Sequence, residues 1–157
     1  HPPKIASRLK EKRINKKEFE IAFKGLIAST VIPEKTKKRY SSLAEKNIIK
    51  LPLVIESKSS EVKTKDLVKL IKLLTGEAFE VAIPKKEIRA GKGKLRNRKY
   101  KKSRGVLIIT GNEEELKTSA VEVIRLSDLL VSDLYPTGRI VIYTEKAIND
   151  LGNKNDN

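Results

Sequence analysis

Four short apolar runs limit how this chain can fold: Leu51–Glu56 (LPLVIE), Val106–Thr110 (VLIIT), Val121–Ile124 and Arg139–Tyr143 (RIVIY). Each is of strand length, and the near-continuous apolarity of LPLVIE and VLIIT suits strands covered on both faces. Helix-like segments of about ten residues separate them, and such alternation calls for a parallel sheet with helices packed on it. The expected class is α/β: a mostly parallel central sheet with helices on both faces, plus a basic extended loop. No internal repeat interrupts this pattern.

The helices announce themselves by caps and spacing. Asn15 can cap a first helix, in which Phe19, Ala22, Phe23, Leu26 and Ile27 share one face. Pro33 suits the first position of a second, basic helix running from Glu34 to about Lys46. Thr64 is the expected cap of a third, whose stripe is Leu67, Leu70, Ile71 and Leu74, with Gly76 at its end. One further turn over Glu77–Ile83 is closed by Pro84. Asn112–Ala120 reads as a short helix with Glu113, Glu114 and Glu115 in its first turn, complementing the helix dipole. Ser127–Leu134 is a turn-rich helical piece with Ser127 as its cap. Thr144 caps the last helix, with Gly152 behind it.

One stretch does not fit the alternation. Ile88–Gly105, IRAGKGKLRNRKYKKSRG, holds nine Lys or Arg, three glycines, one aromatic and no acid. Ordering a residue costs about 1–2 kcal/mol, and little here is apolar enough to offset it. Read alone, the stretch cannot fold on itself and is expected to order only against a polyanion. Its place before the strand at Val106 puts it at the rim opposite the carboxyl ends, where ligands of such sheets sit. That favours a surface contact over a pocket.

The whole chain of 157 residues carries 35 Lys and Arg against 20 Asp and Glu, a net charge of +15. Much of the excess lies in this stretch and in the first fifty residues, so it marks two basic regions rather than a uniform surface. Such asymmetry suggests nucleic acid or an anionic membrane. Neither region has the Trp, Phe or Leu face of an interfacial helix, and no run approaches the roughly 20 apolar residues that span a bilayer. No signal-peptide pattern opens the sequence. Nucleic acid is the better reading.

Catalytic parts are few. The absence of cysteine excludes disulfides, thiolate metal sites and cysteine nucleophiles. The one histidine, His1, has nothing to pair with as a triad requires. The GKGK string departs from a Walker loop: Gly91 and Gly93 are two apart, Leu95 follows Lys94, and the segment leaves Pro84 rather than a strand. A dinucleotide fingerprint lacks its third glycine. Asp128 and Asp133 are explained by turns and caps. No cofactor, metal, membrane or small-molecule substrate is expected.

The better constellation is Arg96, Arg98 and Lys99 around Tyr100. Arginine forks bridge phosphate oxygens, and an aromatic ring stacks on an unpaired base. The sequence equally allows Tyr100 to pack its ring onto the domain as an anchor. RNA is favoured over DNA because no helix carries a base-reading face beside a dimer element. The expected contacts are Lys12, Arg13, Lys16 and Lys17 at the first helix start. In the loop they are Arg89, Gly91, Lys92, Gly93, Lys94, Arg96, Arg98, Lys99, Tyr100, Lys101 and Lys102. The rival readings are an RNA-processing or RNA-modifying enzyme and a DNA-compacting basic protein.

Longer strings add a resemblance. Lys12–Lys17 followed by Phe23–Thr30 resembles the first helix after the long loop in the large-subunit ribosomal protein L-four family. LPLVIE, IRAGKGKLRNRKYKKSRGVLIIT and LLVSDLYPTGRIVIYTEKAI then follow in that family's order. The likeness covers essentially the whole chain, and the RAGKGK…R.RKY string points to the archaeal–eukaryotic branch. It implies a cytoplasmic, non-enzymatic structural component of the large ribosomal subunit. The α/β domain would lie against ribosomal RNA beside neighbouring ribosomal proteins. A long arm, mostly outside this sequence, would line the peptide exit tunnel, and His1-Pro2-Pro3 would be its returning end. The sequence is then a fragment lacking the N-terminal part and most of the tunnel loop. The expected division is an arm end at 1–10, one RNA-binding domain at 11–152 with its basic loop at 85–105, and a polar tail at 153–157. Two departures stand out: Tyr135–Gly138 is shorter than the family's usual Pro-Gly-rich turn, and Asn97 replaces a common glycine, stiffening the loop.

Overall fold

The computed structural model describes residues 13–44, 50–57 and 62–153. Helix α1 spans Lys16–Ser29, and the Asn15 side chain accepts from the Lys17 amide at 3.1 Å, the expected cap. Only the C-terminal half of its apolar face is held: Phe23, Leu26 and Ile27 pack on the core, while Phe19 stays 45% exposed. Helix α2, Pro33–Arg39, starts at the expected proline but ends earlier than expected. The chain turns extended at Tyr40, whose ring joins the core, and a 3₁₀ turn at Ser41–Leu43 buries Leu43. The last residues of the expected helix, 45–46, lie outside the described residues.

Strand β1 is Leu53–Ile55, followed by helix α3 at Thr64–Thr75. Thr64 is the first helical residue and not the cap. The chain enters the helix at Lys63, and no side chain caps that end. Leu67 and Ile71 are buried, with Leu70 and Leu74 partly so, which is the expected stripe; Gly76 ends the helix at φ 47°. A 3₁₀ turn at Gly76–Ala78 and the short α4, Phe79–Ala82, precede the basic segment.

Beyond that segment come β4 (Leu107–Thr110), β5 (Glu122–Arg125), the short α5 (Val131–Leu134), β6 (Val141–Thr144) and α6 (Glu145–Asn153). β1, β6, β4 and β5 form one sheet in that order, every pairing parallel. Alternation sends Ile108 and Ile142 to one face and Leu107, Ile109, Val141 and Tyr143 to the other. The first face is covered by α3 and α4, the second by α1, α5 and α6. The α/β expectation is met.

Four further expectations need correction. Strand β1 is covered on one face only. It is an edge strand, and Val54, between buried Leu53 and Ile55, is 40% exposed. The Asn112–Ala120 segment is an irregular crossover and not a helix. Its Glu114 turns inward instead of decorating a helix start, as described below. Ser127 caps nothing: its region is a turn, and α5 is closed by the Asp133 carboxylate accepting from the Leu130 amide at 3.0 Å. Thr144 does cap α6, its Oγ1 accepting from the Ala147 amide at 3.2 Å; Gly152 lies within that helix rather than behind it.

Candidate nucleic-acid interface

The basic segment folds on itself, against the sequence expectation. Strand β2 (Lys86–Ile88) pairs antiparallel with β3 (Tyr100–Lys102), in the register Lys86 with Lys102, Glu87 with Lys101, and Ile88 with Tyr100. The groups that make this feasible lie at the edge of the all-basic window. Glu87 forms an ion pair with Lys101 at 3.1 Å, and the Lys86 ammonium lies 4.1 Å from the Tyr100 ring centroid. Both relieve like-charge repulsion across the ribbon.

The tip is held by Arg89. Its amide donates to Lys99 O at 2.8 Å and its Nε to Arg98 O at 3.2 Å. A 3₁₀ turn spans Lys92–Arg96, and Asn97 follows in the left-handed conformation at φ 58°. Asparagine tolerates that conformation better than most residues. A Cβ on Gly93 would lie 2.9 Å from Arg89 Cδ, so a larger residue there would push the Arg89 side chain aside. Arg89 thus braces the tip while itself exposed, and Lys92, Lys94, Arg96, Arg98, Lys99, Lys101 and Lys102 are exposed around it, with Gly91 among them.

Tyr100 belongs to neither core cluster. It lies on the ribbon, 46% exposed, between Lys86 and the Lys99 ammonium at 5.6 Å, so the reading of its ring as a domain anchor is discarded. Arg13, Lys16 and Lys17 are exposed at the start of α1. That helix packs on the opposite face of the sheet from α4, which leads into the hairpin, so the two basic regions are presented separately. Lys12 lies outside the described residues.

The hairpin root is built on a residue that sequence reasoning passed over. Arg139, at the head of RIVIY, is fully buried. Its Nε donates to Gly105 O at 3.2 Å, Nη1 to Asp133 O at 2.8 Å, and Nη2 to Arg104 O at 3.4 Å and to Glu122 Oε2 at 2.5 Å. One guanidinium therefore ties the returning hairpin arm to β5 and α5. Gly105 sits at φ 65°, where a Cβ would come 2.5 Å from Ala82 O. The sequence signal was a charged residue flush with a buried strand, which demands partners.

As expected, the hairpin enters β4 at the rim opposite the carboxyl ends. At the carboxyl rim, strand order reverses between β4 and β6, where ligands of open sheets bind. Here the crevice holds the protein's own carboxylate. Glu114 Oε2 accepts from the Gly111 amide at 2.9 Å and from Thr144 Oγ1 at 2.5 Å. Burial pushes its pKa up, but the Thr144 and Gly111 hydrogen bonds, with Lys146 nearby, outweigh that and hold it below the ordinary value. Asp133 and Asp128 each serve local turns, through Leu130 and Ser127 respectively.

A family model described as the ribosomal protein L4/L1 family matches residues 1–154. The large ribosomal subunit protein uL4 of Methanocaldococcus jannaschii is 39% identical over 162 residues, covering 96% of this chain and 62% of the relative. That of Haloquadratum walsbyi is 33% identical, covering 98% of this chain and 64% of the relative. That of Methanococcus maripaludis is 37% identical, with 98% and 64% covered. The chain spans a little under two thirds of the length of these relatives.

Proposed function

We propose that this chain, which belongs to the ribosomal protein L4/L1 family, is a structural component of the large ribosomal subunit that binds ribosomal RNA. The single observation that carries the reading is the hairpin of Lys86–Lys102. It is an ordered ribbon that exposes a dense set of cations, with Ile88, Leu95 and Tyr100 exposed among them and Glu87 as its one acid. Phosphate contacts of this kind set position and supply most of the affinity of a nucleic-acid complex.

In this account Lys92, Lys94, Arg96, Arg98, Lys99, Lys101 and Lys102 meet phosphate, and Gly91 and Gly93 let the backbone approach. Arg89 acts by holding the tip in shape. The exposed face of Tyr100 stacks on a base. Arg13, Lys16 and Lys17, with Lys12 before them, form a second grip. Residues 11–152 act as one RNA-binding domain, followed by a polar tail at 153–157. On the family resemblance alone, residues 1–10 belong to the end of an arm lining the exit tunnel. The partners are ribosomal RNA and neighbouring ribosomal proteins, and the setting is the cytoplasmic ribosome.

The role is non-enzymatic. In this account the sheet serves as a mount, and Glu114, bonded to Gly111 and Thr144, braces the crevice between β4 and β6. Co-sedimentation tests the proposal. The chain added to salt-stripped large subunits is expected to sediment with them and to resist a moderate-salt wash. Recovery in the supernatant, with the chain folded, would contradict it.

A further inference from the structure

Away from the hairpin tip, a groove of about 410 Å³ opens between the end of α2, α4 and the hairpin root. That volume lies in the range of about 300–1,000 Å³ typical of ligand sites. Tyr40 and Val81, both partly buried, supply its apolar wall. Arg39, Lys85, Lys102 and Arg104 also line it, with Lys101, against the two acids Glu80 and Glu87. Glu87 is already paired with Lys101.

The chemistry of this groove is mixed in a particular way. The Arg39 guanidinium lies 5.5 Å from the Tyr40 ring centroid, and its Nη1 donates to Pro136 O. Arg39 is drawn below its ordinary pKa chiefly by burial, and further by Arg139 and Arg104 nearby, so like charges are gathered around the groove. A bare anion would use the cations and leave the ring and Val81 uncovered. An acidic peptide would do the same. A flat base joined to a phosphate uses both, the base against the aromatic wall and the phosphate against the arginines.

We propose that this groove takes one unpaired RNA nucleotide, its base against Tyr40 and Val81 and its phosphate against Arg39, Lys85 and Arg104. The proposal rests on the RNA-binding reading above and adds a subsite distinct from the hairpin tip. Glu80, facing the same space, offers an acceptor to a base amino or imino group.

The test uses three RNA stems: one with a single bulged nucleotide, the same stem fully paired, and one with an abasic bulge. Each is titrated with the 157-residue chain and with Arg39→Gln, Lys85→Gln and Val81→Trp, all checked for folding by circular dichroism. The parent chain is expected to favour the bulged stem over the other two by about tenfold, the size of one base–aromatic stack. The variants should lose that preference while keeping their affinity for the paired stem. Lys85→Gln and Arg39→Gln keep the test open if Val81→Trp does not fold. Equal affinity of the parent chain for all three stems overturns the subsite and leaves the RNA-binding reading standing; failure to bind any stem removes both. An abasic bulge bound as well as the bulged nucleotide means a phosphate site only, and the proposal falls. It falls too if a polyglutamate peptide binds the parent chain and loses that binding in Val81→Trp.

Discussion

The guanidinium of Arg139, with no solvent exposure, meets the carboxylate of Glu122 at 2.5 Å where the basic hairpin joins the sheet. The pair is asymmetric: the Glu122 side chain is 40% exposed and keeps part of its hydration. The guanidinium depends wholly on its partners. Replacing Arg139 by Met would strand the carbonyls of Gly105, Arg104 and Asp133. Leaving a buried acceptor without a partner costs about 1–3 kcal/mol. We therefore expect R139M to lose about 3 kcal/mol in urea unfolding, through the stranded carbonyls. E122Q leaves the buried guanidinium without its counter-charge and should also be destabilised. A near-neutral R139M would show that the root is not held this way.

Two glycines should respond with opposite sign. Gly105→Ala forces a Cβ against Ala82 O in a left-handed backbone, so stability should fall by about 1–3 kcal/mol. Gly25, inside α1, has nothing within 4 Å of an added Cβ, and Gly25→Ala should raise stability by about 0.5–1 kcal/mol. Thermal melts of the two variants give the signs directly.

Glu114 sets a pH dependence. Its folded pKa is lowered, so its contribution is present above the unfolded value, about 4.3, and is lost as pH falls through the folded one. Stability should therefore drop below about pH 5. Glu114→Gln should be less stable at pH 7, by about 1–2 kcal/mol, and its stability should change less between about pH 5 and 3. An unchanged acid limb in the variant would remove Glu114 as the cause.

The hairpin tip should separate binding from folding. Arg96→Ala with Arg98→Ala removes two exposed cations, while the Arg98 carbonyl that Arg89 Nε uses remains. Melting temperature should stay within about 2 °C, since surface changes are usually worth under about 0.5 kcal/mol. RNA affinity should fall at all sequences. Arg89→Ala, by contrast, should disturb the ribbon itself, seen as loss of protection at the Lys99–Tyr100 backbone in hydrogen exchange.

The strands were the most legible part of the chain. VLIIT and RIVIY became the two central strands because continuous apolarity carries the demand for burial on both faces. LPLVIE shares that pattern but lies at the sheet edge, a fact of topology that Val54 alone could not signal. The acidic 113–115 run misled because dipole complementation is a local argument. The Glu114 carboxylate instead answers the Gly111 amide and Thr144, thirty residues away in sequence. The hairpin was hidden for a similar reason. Inside Ile88–Gly105 every charge has one sign, and the neutralising Glu87 and the ring-stacked Lys86 stand just before it. The positions of the cations were readable from the sequence, whereas the bracing of the tip by Arg89 required the backbone.

The central claim is that exposed cations on the hairpin hold RNA through its phosphates, and the salt dependence of affinity for large-subunit RNA tests it most directly. If roughly six to ten phosphates are neutralised, affinity should fall by about 10³ to 10⁵ between about 50 and 200 mM salt. The slope of log affinity against log salt should shrink by about two in the Arg96→Ala, Arg98→Ala variant. A nearly flat dependence in the parent chain would contradict the account.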